Sequence, residues 1–294
     1  MSFAGDLNAG EGTKGLGGGG LNGGKGPGSG PGSGPGFNSA FGRFDLKAPG
    51  LTGFFYDMKQ DASGRATAYK DDVQAFVNNV LRPHIKSWST TAWDDRFFKS
   101  PEQLSASQIF IPHQSANAAP KAYQVADRVA ASRWVAIYRG TVIAPKTGKF
   151  RFWGLGDDTL IVRLNNKLLL DAGWTALTGT GSPNSLPVIL GQSETKKGNP
   201  GMPFRAGPWI PVDQGREYPI EIMISEIPGG SFGAWLMMEE ADPDKTGKGD
   251  GKIFLFRLSA EPLPEGLNDD TGIGVDMSGK GLIWKAKGAK NIVR

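Results

Sequence analysis

The sequence has no cysteine and only two histidines among its 294 residues. The absence of cysteine excludes disulfide bonds, thiolate metal ligands and a cysteine nucleophile. The histidines, His84 and His113, are far apart in the chain, and no serine lies in a nucleophile-elbow motif. No apolar run approaches the roughly 20 residues that a membrane-spanning helix needs. These absences favour a protein that is not an enzyme and that has no membrane span in the given sequence.

Basic charge is scarce outside the C-terminal end. The formal net charge is +4, and residues 279–294 contain four lysines, one arginine and no acid. Because no basic stripe with interleaved aromatic residues occurs, nucleic acid is not an expected partner. The first residues also lack the basic and apolar regions of a signal peptide, so the given sequence shows no secretion signal.

Glycine is abundant, and it is concentrated at the start of the chain. Residues 1–36 contain 16 of the 44 glycines and end in PGSGPGSGPG. Glycine has no Cβ to pack and loses the most backbone entropy when it is ordered. We therefore interpret residues 1–48 as a flexible tether or as an extended arm that docks on a neighbouring copy. Phe37, Phe41 and Phe44 are candidates to anchor its end.

Hydrophobic periodicity predicts one helix in a chain that is otherwise rich in strands. Apolar residues recur at intervals of three and four between 69 and 88, which is typical of an amphipathic helix. Alternating and aromatic runs with short turns predict strands from 50 to 57, 133 to 171, 217 to 239 and 252 to 258. Asn165-Asn166 suits a two-residue hairpin, because Asn tolerates positive φ. The fold class is therefore an all-β antiparallel sandwich or barrel with one inserted helix.

Domain boundaries follow from these patterns. Residues 49–260 form the predicted β domain, which contains a long polar loop at 175–208. A loop of that length inside a compact domain is usually functional or mobile. Residues 261–294 are rich in glycine and lysine and are interpreted as a basic C-terminal tail.

Three segments resemble the protective-antigen-type domain family, PA14. GLTGFFYD is similar to its opening strand, the block from 133 to 174 to its central strands with an Asp-Asp pair, and the segment ending at Glu240 to its closing hairpin. The resemblance implies a β-sandwich or barrel, an extracellular, cell-surface or periplasmic location, and in several members carbohydrate binding. In the sugar-binding adhesins of the family, a paired Asp motif joined by a cis peptide holds a calcium ion that contacts the glycan.

The Asp157-Asp158 pair is the principal candidate site. Two carboxylates suit Ca²⁺, which prefers oxygen ligands, and by resemblance both residues are candidate metal ligands and ligand-binding residues. A second interpretation is open, in which the pair only satisfies backbone N–H groups in a tight turn. Trp174 and Trp209 flank the long loop and are candidate stacking platforms for a sugar ring.

Two functions are consistent with these features. The first is a non-catalytic extracytoplasmic module that binds a glycan or another cell-surface component near Asp157-Asp158. The second is a structural subunit of a homo-oligomeric assembly or filament, in which the Gly-rich arm docks on neighbouring copies.

Overall fold

The computed structural model describes residues 38–174, 177–178, 194–199, 201–244, 248–264, 267–278 and 281–287. Strands in this part of the chain are numbered in order: β1 (Asn38–Ser39), β2 (Gly42–Arg43), β3 (Leu51–Asp57), β4 (Phe98–Lys99), β5 (Leu104–Ala106), β6 (Phe110–Ser115), β7 (Trp134–Ile143), β8 (Gly148–Asp157), β9 (Thr159–Leu164), β10 (Lys167–Asp171), β11 (Thr195–Lys197), β12 (Pro203–Ala206), β13 (Ile210–Val212), β14 (Glu217–Glu226), β15 (Ser231–Ala241), β16 (Gly249–Leu255), β17 (Val275–Asp276) and β18 (Lys285–Lys287). The helices are short: α1 (Val73–Phe76), α2 (Arg82–Ser87), α3 (Thr91–Asp94) and α4 (Ala118–Ala122).

The strands form two sheets, which confirms the predicted all-β sandwich. Sheet 1 has the order β1-β2-β5-β3-β7-β14-β9-β10, with β4 beside β3 and β18 beside β7. Sheet 2 has the order β11-β12-β8-β15-β16-β17, with β13 beside β8 and β6 beside β15. Within the described ranges the pairing is antiparallel except between β16 and β17. The hairpin from β9 to β10 turns at Asn165 and Asn166, both at positive φ as predicted.

Alternation along the strands separates three apolar layers. Successive side chains of a strand point to opposite faces of its sheet, and Ile220, Ile222 and Ile224 of β14 accordingly lie in the main core between the sheets. Met223, on the opposite face of β14, packs with residues of the helical region. The outer face of sheet 2 carries Trp153 and a further apolar cluster. Both faces of each sheet are therefore largely covered.

The predicted helix at 69–88 is present as a helical region with a π turn in its middle. Asp72 caps α1 by accepting the N–H of Ala75 (2.8 Å). A π turn over Val77–Leu81 joins α1 to α2, and Trp88 ends the region in the left-handed conformation. The apolar residues of this region pack on sheet 1 as expected, except Val73, which is exposed. None of the helices in the described ranges is long and apolar enough to cross a membrane.

The folded region extends beyond the predicted 49–260 at both ends. Strands β1 and β2 join the edge of sheet 1, and Phe41 is buried in the main core with Phe44 packed against it. At the other end, β17 is added to sheet 2, β18 is added to sheet 1, and Trp284 is fully buried. Sequence alone did not predict these strands, because two or three residues are too few to show an alternating pattern.

Two further interpretations concern parts that the structure describes incompletely. The Gly-rich arm proper, including Phe37, lies outside the described residues, so its role as a tether or docking arm stays a prediction. The predicted loop at 175–208 is described only at 177–178, 194–199 and 201–208. Its later part is not a loop, because β11 and β12 pair with each other and β12 pairs with β8.

Candidate functional site

Asp157 and Asp158 lie where the chain crosses from one sheet to the other. Asp157 ends β8 of sheet 2, and β9 of sheet 1 begins at Thr159. The peptide bond between the two aspartates is cis, as in the motif that the resemblance implies. The crossover is tight, since a Cβ at Gly156 would lie 2.5 Å from the carbonyl carbon of Thr159. Glycine is therefore required immediately before the pair.

Asp158 points into the interior and is bonded to the loop that follows β14. Its side chain is buried, its Oδ2 accepts the N–H of Ile227 (2.8 Å), and its own N–H donates to Ser225 O (3.3 Å). The pKa of Asp158 is raised to about 6. Burial is the main cause and the charge of Asp157 contributes, whereas the bond from the Ile227 N–H opposes the shift. The turn interpretation is thus supported for Asp158, which satisfies a backbone donor.

Glu226 is a third carboxyl group at this position, and the sequence interpretation missed it. Its exposure is 1%, its Oε1 accepts the N–H of Gly229 (2.7 Å), and its buried Oε2 has no hydrogen-bond partner in the described structure. Burial is the main cause that raises its pKa to about 9, and the charges of Asp158 and Asp157 add to it. Glu226 therefore carries a proton at neutral pH.

Asp157 is the accessible member of the pair. Its side chain is 22% exposed, and its Oδ2 lies 3.4 Å from Nε2 of His113. Burial raises the pKa of Asp157, and the interaction with His113 opposes that rise. His113 comes from β6, which pairs with β15, while β15 also pairs with β8. No local pattern links His113 to Asp157, because the contact depends on the order of strands in sheet 2.

Trp174 lies beside the pair, as a binding role requires. Its N–H donates to Gly156 O (2.8 Å), and Gly173 forms a parallel bridge with Gly156. The Trp174 side chain is half-buried. The structure thus brings Trp174 and the two aspartates together at one end of the sandwich.

Trp209 is at the other end of β8, so it does not form a joint platform with Trp174. Strand β13 pairs Ile210 with Phe150, which places Trp209 next to Arg151. The Arg151 guanidinium carbon is 4.3 Å from the centre of the Trp209 ring. Six residues of extended strand separate Arg151 from Asp157, about 20 Å at 3.3 Å per residue. Pairing of 203–212 with β8 carries Trp209 away from the Asp pair.

The donor set suits a hard cation only in part. Carboxylate oxygens are ligands that Ca²⁺ prefers, and Asp157 and Asp158 supply them at the crossover. Across the described ranges, however, His, Cys, Asp and Glu side chains form no group of three or more that could hold a metal ion. Side-chain ligation by the protein would therefore rest on Asp157 and Asp158.

Comparison with known proteins gives one family match and several similar folds. A family model described as PA14 domain matches residues 47–251. A PA14 sugar-binding domain from an RTX adhesin is 15% identical, with 70% of this chain and 95% of that chain covered and a TM-score of 0.40. The PA14 domain of the antifreeze protein MpAFP is 11% identical, with 68% and 85% covered and a TM-score of 0.35.

An adhesin of a yeast is also similar in fold. The A domain of Epithelial Adhesin 6 from Candida glabrata, solved in complex with Galb1-3GlcNAc, is 14% identical to this chain. The match covers 66% of this chain and 81% of that chain, with a TM-score of 0.38. No curated protein sequence matches the chain.

Proposed function

The chain belongs to the PA14 domain family, and from this membership we propose that it is a non-catalytic module that binds carbohydrate or another cell-surface ligand. The binding end is the crossover between β8 and β9. The observation that carries the proposal is the combination found there: a partly exposed carboxylate, Asp157, and a half-buried tryptophan, Trp174, whose backbone N–H donates to Gly156, the residue before Asp157. Carboxylates accept hydrogen bonds from sugar hydroxyls, and an indole offers an apolar face to a sugar ring.

Shielding of the acidic groups supports a non-catalytic role. The carboxyls with the most perturbed environment at the crossover, Asp158 and Glu226, are 5% and 1% exposed. A general acid or base must come within hydrogen-bond reach of the proton that it transfers. Glu226 and Asp158 are also bonded to the backbone of the loop at 227–229, so both contribute to holding that loop.

Calcium is part of the proposal, with Asp157 and Asp158 as its protein carboxylates. When bound, the ion would offset their charge and offer coordination positions to ligand hydroxyls. Two carboxylates are few for a calcium site, so we expect an affinity in the range of extracellular modules, with a Kd of about 10⁻⁴ to 10⁻³ M. Such an affinity suits the calcium-rich environment outside cells, and the family resemblance supports a location there.

The first test measures thermal stability with and without calcium. At ten times its Kd, an ion that binds only the folded state adds about 1.4 kcal/mol, which is a rise in Tm of about 3–6 °C for a domain of this size. Asp157→Asn should abolish the rise without much loss of basal stability, because the ion pair that Asp157 makes is with His113, which is itself partly exposed. Asp213→Asn is the matched control, since Asp213 is an exposed aspartate in a surface ion pair with Arg216.

A glycan array, read with calcium and with a chelator, tests the ligand class. Binding of a defined glycan that is lost on chelation and in Asp157→Asn is the expected result. Glycan binding that survives chelation would remove calcium from the proposal and keep the module. An array without any signal at millimolar calcium would count against carbohydrate as the ligand.

A further inference from the structure

The segment from Asp171 to Thr178 holds Trp174 in place through its own backbone and through two buried side chains. Residues 172–174 lie along the crossover, where Gly173 forms an isolated parallel bridge with Gly156. The N–H of Gly156 donates to Ala172 O (2.9 Å), the N–H of Trp174 donates to Gly156 O (2.8 Å), and the N–H of Ala172 donates to Leu160 O (2.9 Å). These bonds fix the backbone of Trp174 against the residue that precedes Asp157.

Asp171 precedes Trp174 and is hydrogen-bonded to Thr178, which follows it. Its carboxylate is fully buried, and its Oδ2 accepts both the N–H of Thr178 (2.7 Å) and the hydroxyl of Thr178 (2.6 Å). Both bonds span seven residues, so the segment that contains Trp174 is tied at its two ends. An acceptor at position 171 therefore holds Thr178 next to the end of β10.

Arg205 holds the same segment from sheet 2. Its side chain is 1% exposed, and its Nη1 donates to the carbonyl oxygen of Gly173 (2.6 Å). Pairing of Arg205 with Gly154 in β8 sets the position of the guanidinium. Burial raises the pKa of Asp171 and lowers that of Arg205, and the attraction between the two charges opposes both shifts.

We propose that Asp171, Thr178 and Arg205 are positioning residues, which set the indole of Trp174 beside Asp157 in the orientation that a ligand meets. A buried Asp and a buried Arg contribute little net stability, because replacing such a pair by apolar residues of similar volume is often neutral or stabilising. Stability alone therefore does not explain these two residues. Their bonds go to Thr178 and Gly173, on either side of Trp174. The part of the proposal that concerns ligand affinity rests on the proposed function, whereas the part that concerns Trp174 does not.

The first readout is the ¹⁹F NMR spectrum of full-length protein that contains 5-fluorotryptophan, with the Trp174 line assigned by Trp174→Phe. Thr178→Val removes one hydrogen bond without uncovering a charge, and we expect it to shift or broaden the Trp174 line. Thr178→Ser restores the hydroxyl and should return the line to its wild-type position. Asp171→Asn should give a larger change than Thr178→Val, and Thr178→Val decides if Asp171→Asn does not fold.

Glu239→Gln is the matched control. Glu239 is a buried carboxylate paired with Arg151 on the same two central strands, β15 and β8, but at the opposite end of β8. This variant should lower Tm at least as much as Thr178→Val while leaving the Trp174 line unchanged. A Trp174 line that stays at its wild-type position in both Thr178→Val and Asp171→Asn would overturn the proposal, as would an equal shift in Glu239→Gln.

The second readout is binding of calcium by titration calorimetry and of the strongest array glycan. We expect Thr178→Val to weaken glycan binding at least threefold and Thr178→Ser to restore it, with Glu239→Gln unchanged. Glycan affinity that is unaltered in Thr178→Val, despite a shifted Trp174 line, would overturn the link to binding. If wild-type protein binds neither probe, the proposed function fails, while the NMR comparison still decides whether these residues position Trp174.

Discussion

The two ends of strand β8 carry charged clusters of opposite design. At the Arg151 end, the guanidinium pairs with Glu239 through Nη2 (2.7 Å) and with Glu194 through Nη1 (2.5 Å). Glu239 also accepts the indole N–H of Trp153 (2.7 Å), and Trp209 stacks on the guanidinium. The guanidinium and both carboxylates are paired with one another within the described structure, so this end is complete without a ligand.

At the Asp157 end, acidic side chains outnumber basic ones. Asp157, Asp158 and Glu226 face each other, and among the described residues the partly exposed His113 is the basic side chain paired with them. Adjacent carboxylates disfavour one another's ionisation, and an external cation or proton relieves them. The contrast teaches that a charged cluster indicates binding when its groups remain uncompensated, and structure when they are paired within the fold.

The largest expected effect is a loss of stability when the ion pairs of Arg151 are removed. Arg151→Met should lower the free energy of unfolding by about 3 kcal/mol, because removing one partner of a buried ion pair leaves the other charge uncompensated. Urea denaturation measures the loss. The calcium-dependent rise in Tm should persist in this variant, and its disappearance would mean that the two ends of β8 are not independent.

A smaller effect should appear at the acidic end as a dependence on pH. Folding raises the pKa of Glu226 from 4.5 to about 9, mainly through burial. Because the folded state binds more protons in this window, stability falls as pH rises from about 4.5 to 9. Asp158, raised from 3.8 to about 6, adds a loss of the same sign at lower pH.

Glu226→Gln should remove most of that dependence, since a glutamine resembles the protonated acid. One unit of pKa shift corresponds to about 1.4 kcal/mol, so between pH 5 and pH 8.5 the variant should gain at least that much relative to wild type. Urea denaturation at the two pH values measures it, with Glu217→Gln on the exposed part of β14 as control. Parallel stability curves for wild type and Glu226→Gln would contradict the protonated state of Glu226.

Local patterns in the sequence were sufficient for much of the fold. The helical region around 73–87 was predicted from the periodicity of its own residues, and the hairpin at Asn165 from its own turn residues. Both are confirmed. The position of Asp157-Asp158 between two strands was also recognisable, because alternation stops on either side of it. Short edge strands such as β1 and β18 were not, since two or three residues carry no period.

The partners of the Asp pair depend on contacts between distant residues. Glu226 is 68 positions from Asp158 and reads as one more residue of an alternating strand until β14 is placed beside β9. Arg205 lies in a segment whose polar composition predicts a loop, and only its pairing with β8 shows that its side chain is buried. The same pairing separates Trp209 from Trp174, although the two residues flank one predicted loop in the sequence.

The smallest expected effects are those of Trp174→Phe and Trp209→Phe, two substitutions at opposite ends of β8. The first should change ligand affinity and the second should change stability. Trp174→Phe should weaken binding of the strongest array glycan by about fivefold, roughly 1 kcal/mol, because the smaller ring covers less of a sugar face. Trp209→Phe should leave that affinity unchanged and instead lower stability by about 0.5–1 kcal/mol through a weaker cation–π contact with Arg151. Glycan titrations and urea denaturation of both variants give the two values for each. Equal losses of affinity would mean that the ligand extends along β8 to Trp209, and that the ion-paired cluster around Arg151 belongs to the binding surface.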